Sequence, residues 1–215
     1  MTCFFSLYKE FVDDDYRKDR ARGYPINEEF LSKRYECMLP EELIKDKTIL
    51  DLGSCVSSLG AWALHHNAKE YTGVECNKDL CDLAIKNLSN YFNNWNIVHT
   101  DVENFLNTDN RHFDIIVASG ILNYYYDQKV VLDKIVTKTK TLIIDSQGPY
   151  PIVSNDPVIV YKKRPDGFHG YPNDLYYDMI LKQHNFEKHA YSPDIPEIYN
   201  DNTEYNRYMI RYVEV

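Results

Sequence analysis

Glycine is scarce in this chain, with 8 residues in 215, about half the usual share. Any loop that cradles a nucleotide must therefore work with few of them. Long apolar runs are also missing. A stretch such as Phe113–Leu122 is too short and too interrupted to span a bilayer. Met1–Ser6 lacks the basic region and long apolar core of a signal peptide. The expectation is a soluble, cytoplasmic protein with no membrane partner. Basic charge is in short supply too: 24 Lys and Arg stand against 33 Asp and Glu, for a formal net charge of −9. That balance weighs against wrapping a nucleic-acid backbone, although a basic groove can sit inside an acidic protein. The five cysteines, at 3, 37, 55, 76 and 81, are odd in number and form no CxxC pair. They read as small thiols in a reducing compartment rather than disulfides or a zinc site, and no metal is expected.

What is present is enough for one ordinary α/β domain with a short appendage, since 44% of the residues are hydrophobic. Tyrosine is abundant at 19 residues, so a single tyrosine is a weak signal. Residues 1–47 differ in character from the rest and read as an N-terminal helical segment. Phe4–Tyr16 suits an amphipathic helix, charges dominate Asp13–Arg22, and Gly23-Tyr24-Pro25 breaks the chain. Asn27 can cap a second helix over Glu28–Met38, which ends before Pro40.

From residue 48 to 215 apolar strands alternate with helical segments. Strands are expected at Lys47–Leu52, Glu70–Glu75, Asn96–His99, Phe113–Ala118 and Thr141–Asp145. Helices are expected at Ser58–His66, Lys78–Tyr91 and Lys129–Val136. This alternation predicts a parallel sheet with right-handed crossovers. The tail differs: a helix over Pro172–Gln183 is followed by two strands, Phe186–Tyr191 and Tyr205–Val215, that form a terminal hairpin. Asp145 through Pro172 reads as a long irregular loop of the kind that serves as a lid or substrate loop.

The chemistry centres on Thr48-Ile49-Leu50-Asp51-Leu52-Gly53-Ser54 and on Tyr71-Thr72-Gly73-Val74-Glu75. These segments read as a buried strand, a turn with glycine, a helix, and a second strand ending in a carboxylate. Such a unit binds adenosine-type ligands: the glycine lets backbone approach, and the acid accepts the ribose hydroxyls. Asp101 follows the third strand, and Ser119-Gly120 follows the fourth. Each residue also has a plainer reading. Asp51 can cap a turn, Glu75 can pair with a lysine, Asp101 can cap a short helix through Val102–Leu106, and Ser119-Gly120 can be an ordinary turn.

In this order and spacing the chain resembles the class I S-adenosylmethionine-dependent methyltransferases over residues 47–215. Leu50–Ser54 matches the start of the family's first motif, Glu75 its second-strand acid, and Phe113–Leu122 its fourth-strand motif. The resemblance implies a Rossmann-like doubly wound sheet of seven strands with a C-terminal antiparallel hairpin. It implies S-adenosylmethionine as cofactor, with Gly53, Ser54 and Cys55 facing its methionine and ribose parts. Asp51 would orient the turn or meet the ligand ammonium, and Glu75 would take the ribose diol. Asp101 and Val102 would read the adenine edge, Cys76 would pack on its face, and Ser119 and Gly120 would lie beside the methionine. Cys55 and Ser57 depart from the pattern, standing where the family carries glycines. A positive φ there would strain them.

The acceptor side is less defined. Asn123-Tyr124-Tyr125-Tyr126-Asp127 follows the fourth strand, and its tyrosines can stack on a planar substrate, hold a cationic amine, or simply pack on the next helix. His169 is a candidate general base or an incidental loop histidine. Lys162-Lys163-Arg164 can meet an anion or stand solvated. Tyr24 and the leader arginines can reach the acceptor if the first 47 residues close as a lid. The chain lacks the Asn/Asp-Pro-Pro-aromatic signature of enzymes that methylate exocyclic amines of bases, and it has no Pro-Cys nucleophile. A small-molecule acceptor is therefore expected. Two other readings compete: a methyltransferase-like binding or partner module without catalysis, and a nucleotide-dependent oxidoreductase. The second is disfavoured because the first turn lacks the spaced glycines that pyrophosphate needs.

Overall fold

The computed structural model describes residues 28–149, 154–164, 167–192 and 205–215. The proposed helix Phe4–Tyr16, the leader arginines Arg17, Arg20 and Arg22, and Tyr24 lie outside the described residues. Helix α1 (Glu28–Met38) and the short α2 (Glu41–Ile44) flank Pro40. Proline fixes its own φ and disfavours a helical residue before it, so the chain pauses between the two.

Five parallel strands follow: β1 (Thr48–Leu52), β2 (Glu70–Glu75), β3 (Trp95–His99), β4 (Ile115–Ser119) and β5 (Thr141–Pro149). Between them run α3 (Ser58–His65), α4 (Lys78–Leu88), α5 (Val102–Thr108) and α6 (Gln128–Ile135). Side-chain caps start three of these helices: Asn77 for α4, Asp101 for α5 and Asp127 for α6. β8 (Phe186–Ser192) and β9 (Tyr205–Glu214) complete the sheet in the order β3-β2-β1-β4-β5-β9-β8. β9 lies antiparallel between β5 and β8. This is the seven-stranded Rossmann-like sheet with a terminal hairpin.

The central strands are covered on both faces, which is why β1 and β4 are almost continuously apolar. One core gathers Leu50, Ile116, Leu132, Ile144, Tyr177 and Ile210. The other gathers Ile49, Trp62, Tyr71, Val117, Ile143 and Met38, so α1 is part of it. Sequence order reverses between β1 and β4. The crevice at the carboxyl ends of those two strands is where an open α/β sheet binds its ligand.

The expected loop from 145 to 172 needs correction. β5 continues to Pro149, and β6 (Ile159–Arg164) pairs antiparallel with β7 (Gly167–Pro172) as a separate ribbon. The sequence carried the signal. Arg164-Pro165-Asp166-Gly167 is a turn signature between two runs of strand-forming residues. The following helix, α7 (Asp174–Leu181), begins after Asn173 rather than at Pro172, because the Asn173 side chain accepts from Tyr176 N and caps it.

Candidate functional site

At the end of β1 the chain turns through Gly53 at φ 73°. A Cβ there would approach Ile121 Cδ1 to 2.9 Å, so glycine serves both the backbone angle and the close passage of the loop after β4. Gly53 N and Ser54 N both donate to Val74 O at 2.9 Å, which fastens the turn to β2. Cys55 and Ser57 stand at φ 53° and 57°. The conformation usually served by glycine is thus kept without glycine, at a cost of roughly 1–2 kcal/mol per residue.

Glu75 holds this turn from the second strand. Its Oε2 accepts from Cys55 N at 2.9 Å and its Oε1 from Asn77 N at 2.8 Å. Backbone donors thus fix both oxygens; the Cys76 thiol also donates to Oε1 at 3.6 Å, and Oε2 retains a further lone pair for a hydroxyl. Glu75 takes no lysine partner among the described residues; the turn itself is its partner. Cys76 is exposed beside it, and burial with the Glu75 charge pushes its thiol upward. It stays a neutral, polarisable surface. Asp101 caps α5 by accepting from Asn104 N at 2.7 Å, so its plainer reading is realised. Val102 behind it is buried.

Asp51 lies inside the sheet, 3% exposed. It accepts a 2.9 Å hydrogen bond from the Tyr71 hydroxyl. Its carboxyl is pushed up to about 7, first by burial and then by the Glu75 charge, while the Tyr71 bond works in the opposite direction. Ser54 is buried, and its hydroxyl has no hydrogen-bond partner. Gly73 makes room for it, since a Cβ there would come within 2.7 Å of Ser54 Oγ.

Ser119 and Gly120 (φ 66°) end β4. Ser119 Oγ donates to Asp145 Oδ2 at 2.6 Å, and Gly120 N donates to Asp145 O at 2.8 Å. The same Asp145 carboxylate receives Arg34 of α1 in an ion pair buried on both sides. The N-terminal helix is thereby fastened to the middle of β5, level with the carboxyl end of β4. Arg34 carries no motif; only its place across the sheet reveals it. Tyr35 on the same helix bonds Ser58 at the start of α3 at 2.5 Å.

Beyond β4, Asn123 is buried and its side chain meets Ser146 Oγ at 3.4 Å. Ser146 in turn meets the Tyr177 hydroxyl at 3.1 Å, which also reaches Gln128 Oε1 at 3.0 Å. Tyr124, 51% exposed, faces His169 of β7 with ring centroids 4.5 Å apart. Two candidates separated by 45 positions are thus brought together, and His169 belongs to a strand rather than a loop. The neighbouring Tyr126 and Tyr161 stack at 4.7 Å. Lys162 and Lys163 lie in β6.

A cavity of about 750 Å³ opens at the opposite, amino-terminal ends of the strands, beside Thr48, Phe113 and Thr141. Its Lys47 and Lys140 face Asp114 and Glu214, and its Lys138 donates to the Asp109 carbonyl, so each of its lysines already has a partner. The switch-point crevice, with its unpartnered serine and its perturbed carboxyl, is the better site on chemical grounds. Among the described residues no group of three His, Cys, Asp or Glu could hold a metal ion, and no helix is long and apolar enough to cross a membrane.

Residues 49–141 match the family described as "Methyltransferase domain". No curated protein matches the chain in sequence. Among solved structures, the N-methyltransferase NodS from Bradyrhizobium japonicum WM9, with S-adenosyl-L-homocysteine, is 16% identical with TM-score 0.65, covering 100% of this chain and 99% of that one. The magnesium protoporphyrin IX methyltransferase from Synechocystis PCC 6803, with bound S-adenosylmethionine, is 12% identical with TM-score 0.66, covering 98% and 91%. A candidate RNA methyltransferase from Pyrococcus horikoshii is 18% identical with TM-score 0.63, covering 99% and 97%. At these identities the solved structures speak for the fold. The family match covers residues 49–141, fewer than half of the chain, and adds a likeness to a class whose cofactor is S-adenosylmethionine. The resemblance to class I S-adenosylmethionine-dependent methyltransferases therefore holds.

Proposed function

We propose that this protein is an S-adenosylmethionine-dependent methyltransferase that acts on a small-molecule acceptor. The observation that carries the reading is the turn at Gly53–Cys55, held by Glu75 through the 2.9 Å bond to Cys55 N at the switch point of a methyltransferase sheet. The residues present fit the cofactor. The buried Ser54 hydroxyl lacks a partner, and Glu75 is oriented with a lone pair on Oε2 to spare. In this reading Gly53, Ser54 and Cys55 receive the methionine and ribose portions, and Glu75 takes the ribose hydroxyls. Asp101 and Val102 meet the adenine edge, with Cys76 against its face. Asp51 favours the ligand ammonium, and Ser119 and Gly120 flank the methionine.

The cofactor supplies an activated methyl group on a sulfonium. The protein's work is therefore to hold an acceptor atom in line and keep water out, and no fixed triad is required. The acceptor would lie against Asn123 and the Tyr124–His169 pair. Residues 1–47 would close over it as a lid, with Tyr24 among its contacts; the Arg34–Asp145 pair supports that role by fastening α1 over the site. The net charge of −9 favours a small molecule over nucleic acid. Thiols rather than disulfides at Cys37, Cys55, Cys76 and Cys81 suit a reducing, cytoplasmic setting.

Isothermal titration with S-adenosylmethionine and S-adenosylhomocysteine tests the first step, with micromolar binding expected. Absence of both would sink the reading. Metabolite profiling with labelled methyl donor then identifies the acceptor. The strained Cys55–Ser57 turn favours one alternative, a binding module without catalysis. Binding without methyl transfer to any metabolite would select it.

A further inference from the structure

Tyr71 is the one phenol placed inside the sheet beside the cofactor turn. Its side chain is completely buried, and a phenylalanine would fill the same space. A buried hydroxyl is costly unless it is bonded, so the oxygen calls for an explanation. It donates to Asp51 Oδ2 at 2.9 Å. The Ser57 and Ser54 hydroxyls lie close enough to influence it, although no hydrogen bond joins either of them to it or to any other described group. The fold makes room for the ring: a Cβ at Gly60, in the first turn of α3, would come within 2.4 Å of Tyr71 Cε1 and Cζ. The phenol therefore touches the carboxylate before the turn, which then runs through three left-handed positions, Gly53, Cys55 and Ser57. Backbone strain persists only where surrounding contacts over-determine it. Glu75 supplies one such contact, through Cys55 N. Tyr71 supplies the other.

We propose that Tyr71 is a positioning residue for the cofactor: its phenol orients the Asp51 carboxylate toward the ligand ammonium and so braces the left-handed turn that replaces glycine. This rests on the cofactor reading above. The groups bearing on Asp51 are Tyr71 and Glu75, both from β2. β4 places Val117 beside it, and no residue of β4 over Ile115–Ser119 carries a carboxylate or a base. The α3 segment Ser58–Leu64 has no ionisable side chain. From α1 and β5, Arg34 and Asp145 are paired with each other. Of the groups that bear on Asp51, Tyr71 favours its ionised form, while burial and the Glu75 charge oppose it.

The test is S-adenosylhomocysteine affinity, by calorimetry, from pH 5.5 to 8.5. For the wild type, affinity should fall on acidification as Asp51 takes up a proton. Tyr71→Phe, which keeps the ring, should move that midpoint upward by about one pH unit and weaken binding about fivefold at pH 7. Placing 3-fluorotyrosine at position 71, a stronger donor that retains the hydroxyl, should move the midpoint downward; this variant decides the matter if Tyr71→Phe does not fold. An unchanged pH profile in a folded variant overturns the role of Tyr71 and leaves the cofactor reading intact. Failure of the wild type to bind at any pH overturns both.

Discussion

Gly53, Ser54, Cys55, Glu75 and Asp101 lie on one side of the switch point, each at a strand end or in the turn that follows. Arg34, Asn123, Tyr124, Asp145 and His169, on the other side, come from separate stretches of chain that only the fold unites. The first group is tied down by backbone donors: Gly53 N and Ser54 N to Val74 O, and Cys55 N and Asn77 N to Glu75. The second is tied by side-chain pairs: Arg34 with Asp145, Ser119 with Asp145, and Tyr124 with His169. The difference is physical. A ligand part shared by a whole enzyme class can be gripped by main chain, whose donors do not depend on residue type. A particular acceptor must be gripped by side chains, which vary. On the proposed function the first group is the adenosine side and the second the acceptor side; the first should be sensitive to backbone conformation and the second to lost partners.

The largest effect should come from the acceptor side. Arg34→Met leaves the buried Asp145 carboxylate without its cation, a loss of about 3–5 kcal/mol in stability. Adding Asp145→Asn should recover most of it, because the stranded charge is gone. Urea unfolding of the two single variants and the double variant measures this. If Arg34→Met alone costs nothing, the two sides are not held in the different ways described.

Asp51 breaks the symmetry from within the adenosine side, since it is gripped by a side chain rather than by main chain. Its carboxyl sits at about 7 in the folded protein, against 3.8 unfolded. Between roughly pH 4 and 7 the folded state binds more protons than the unfolded state. The contribution of this group is fully present below the lower value and is lost as pH rises through the upper one. Asp51→Asn removes that loss. At pH 8 it should stabilise the protein by a few kcal/mol, since each tenfold change in proton affinity is worth about 1.4 kcal/mol, and at pH 4 by little. It should also weaken S-adenosylhomocysteine binding. Thermal melts across pH give the first half and calorimetry the second. Gain in stability with loss of binding is the pattern expected of a group placed for function.

Gly53→Val probes main-chain grip directly. The valine would need φ near 73° and would press on Ile121. A loss of affinity on the order of a hundredfold, about 3 kcal/mol, is expected. Retained affinity would place the ligand elsewhere.

Much of the adenosine side was legible in sequence for the same reason that it is robust. Leu50–Ser54 and Tyr71–Glu75 are local patterns, in which apolar strands end on a glycine or an acid. Helix Glu28–Met38 was legible from its flanking proline, and the terminal hairpin from its alternation. Asp101 shows where local reading divides, because an acid after a strand can serve a ligand or a helix and the structure shows it capping α5. Tyr71 could not be singled out in a tyrosine-rich chain, because its role depends on α3 crossing it at Gly60. Arg34 and Asp145 are 111 positions apart, and no periodicity links them. The β6–β7 ribbon is legible only through its turn signature, Arg164-Pro165-Asp166-Gly167. Its strands lie outside the main sheet and show no clean alternation.

The smallest predicted effect bears on the residue where sequence and structure disagree most. Cys55 holds a left-handed angle of 53° without glycine's freedom. Cys55→Gly releases a strain of about 1 kcal/mol, while glycine's greater unfolded-state entropy returns a share of it. The net gain in stability should be under about 1 kcal/mol, and the Cys55 N bond to Glu75 should survive. If binding depends on main-chain conformation alone, affinity for S-adenosylhomocysteine stays within about twofold, which is about 0.4 kcal/mol. If affinity falls further, the thiol itself contributes to the ligand. The adenosine side would then share the side-chain dependence of the acceptor side, and the contrast between the two would narrow to a difference of degree.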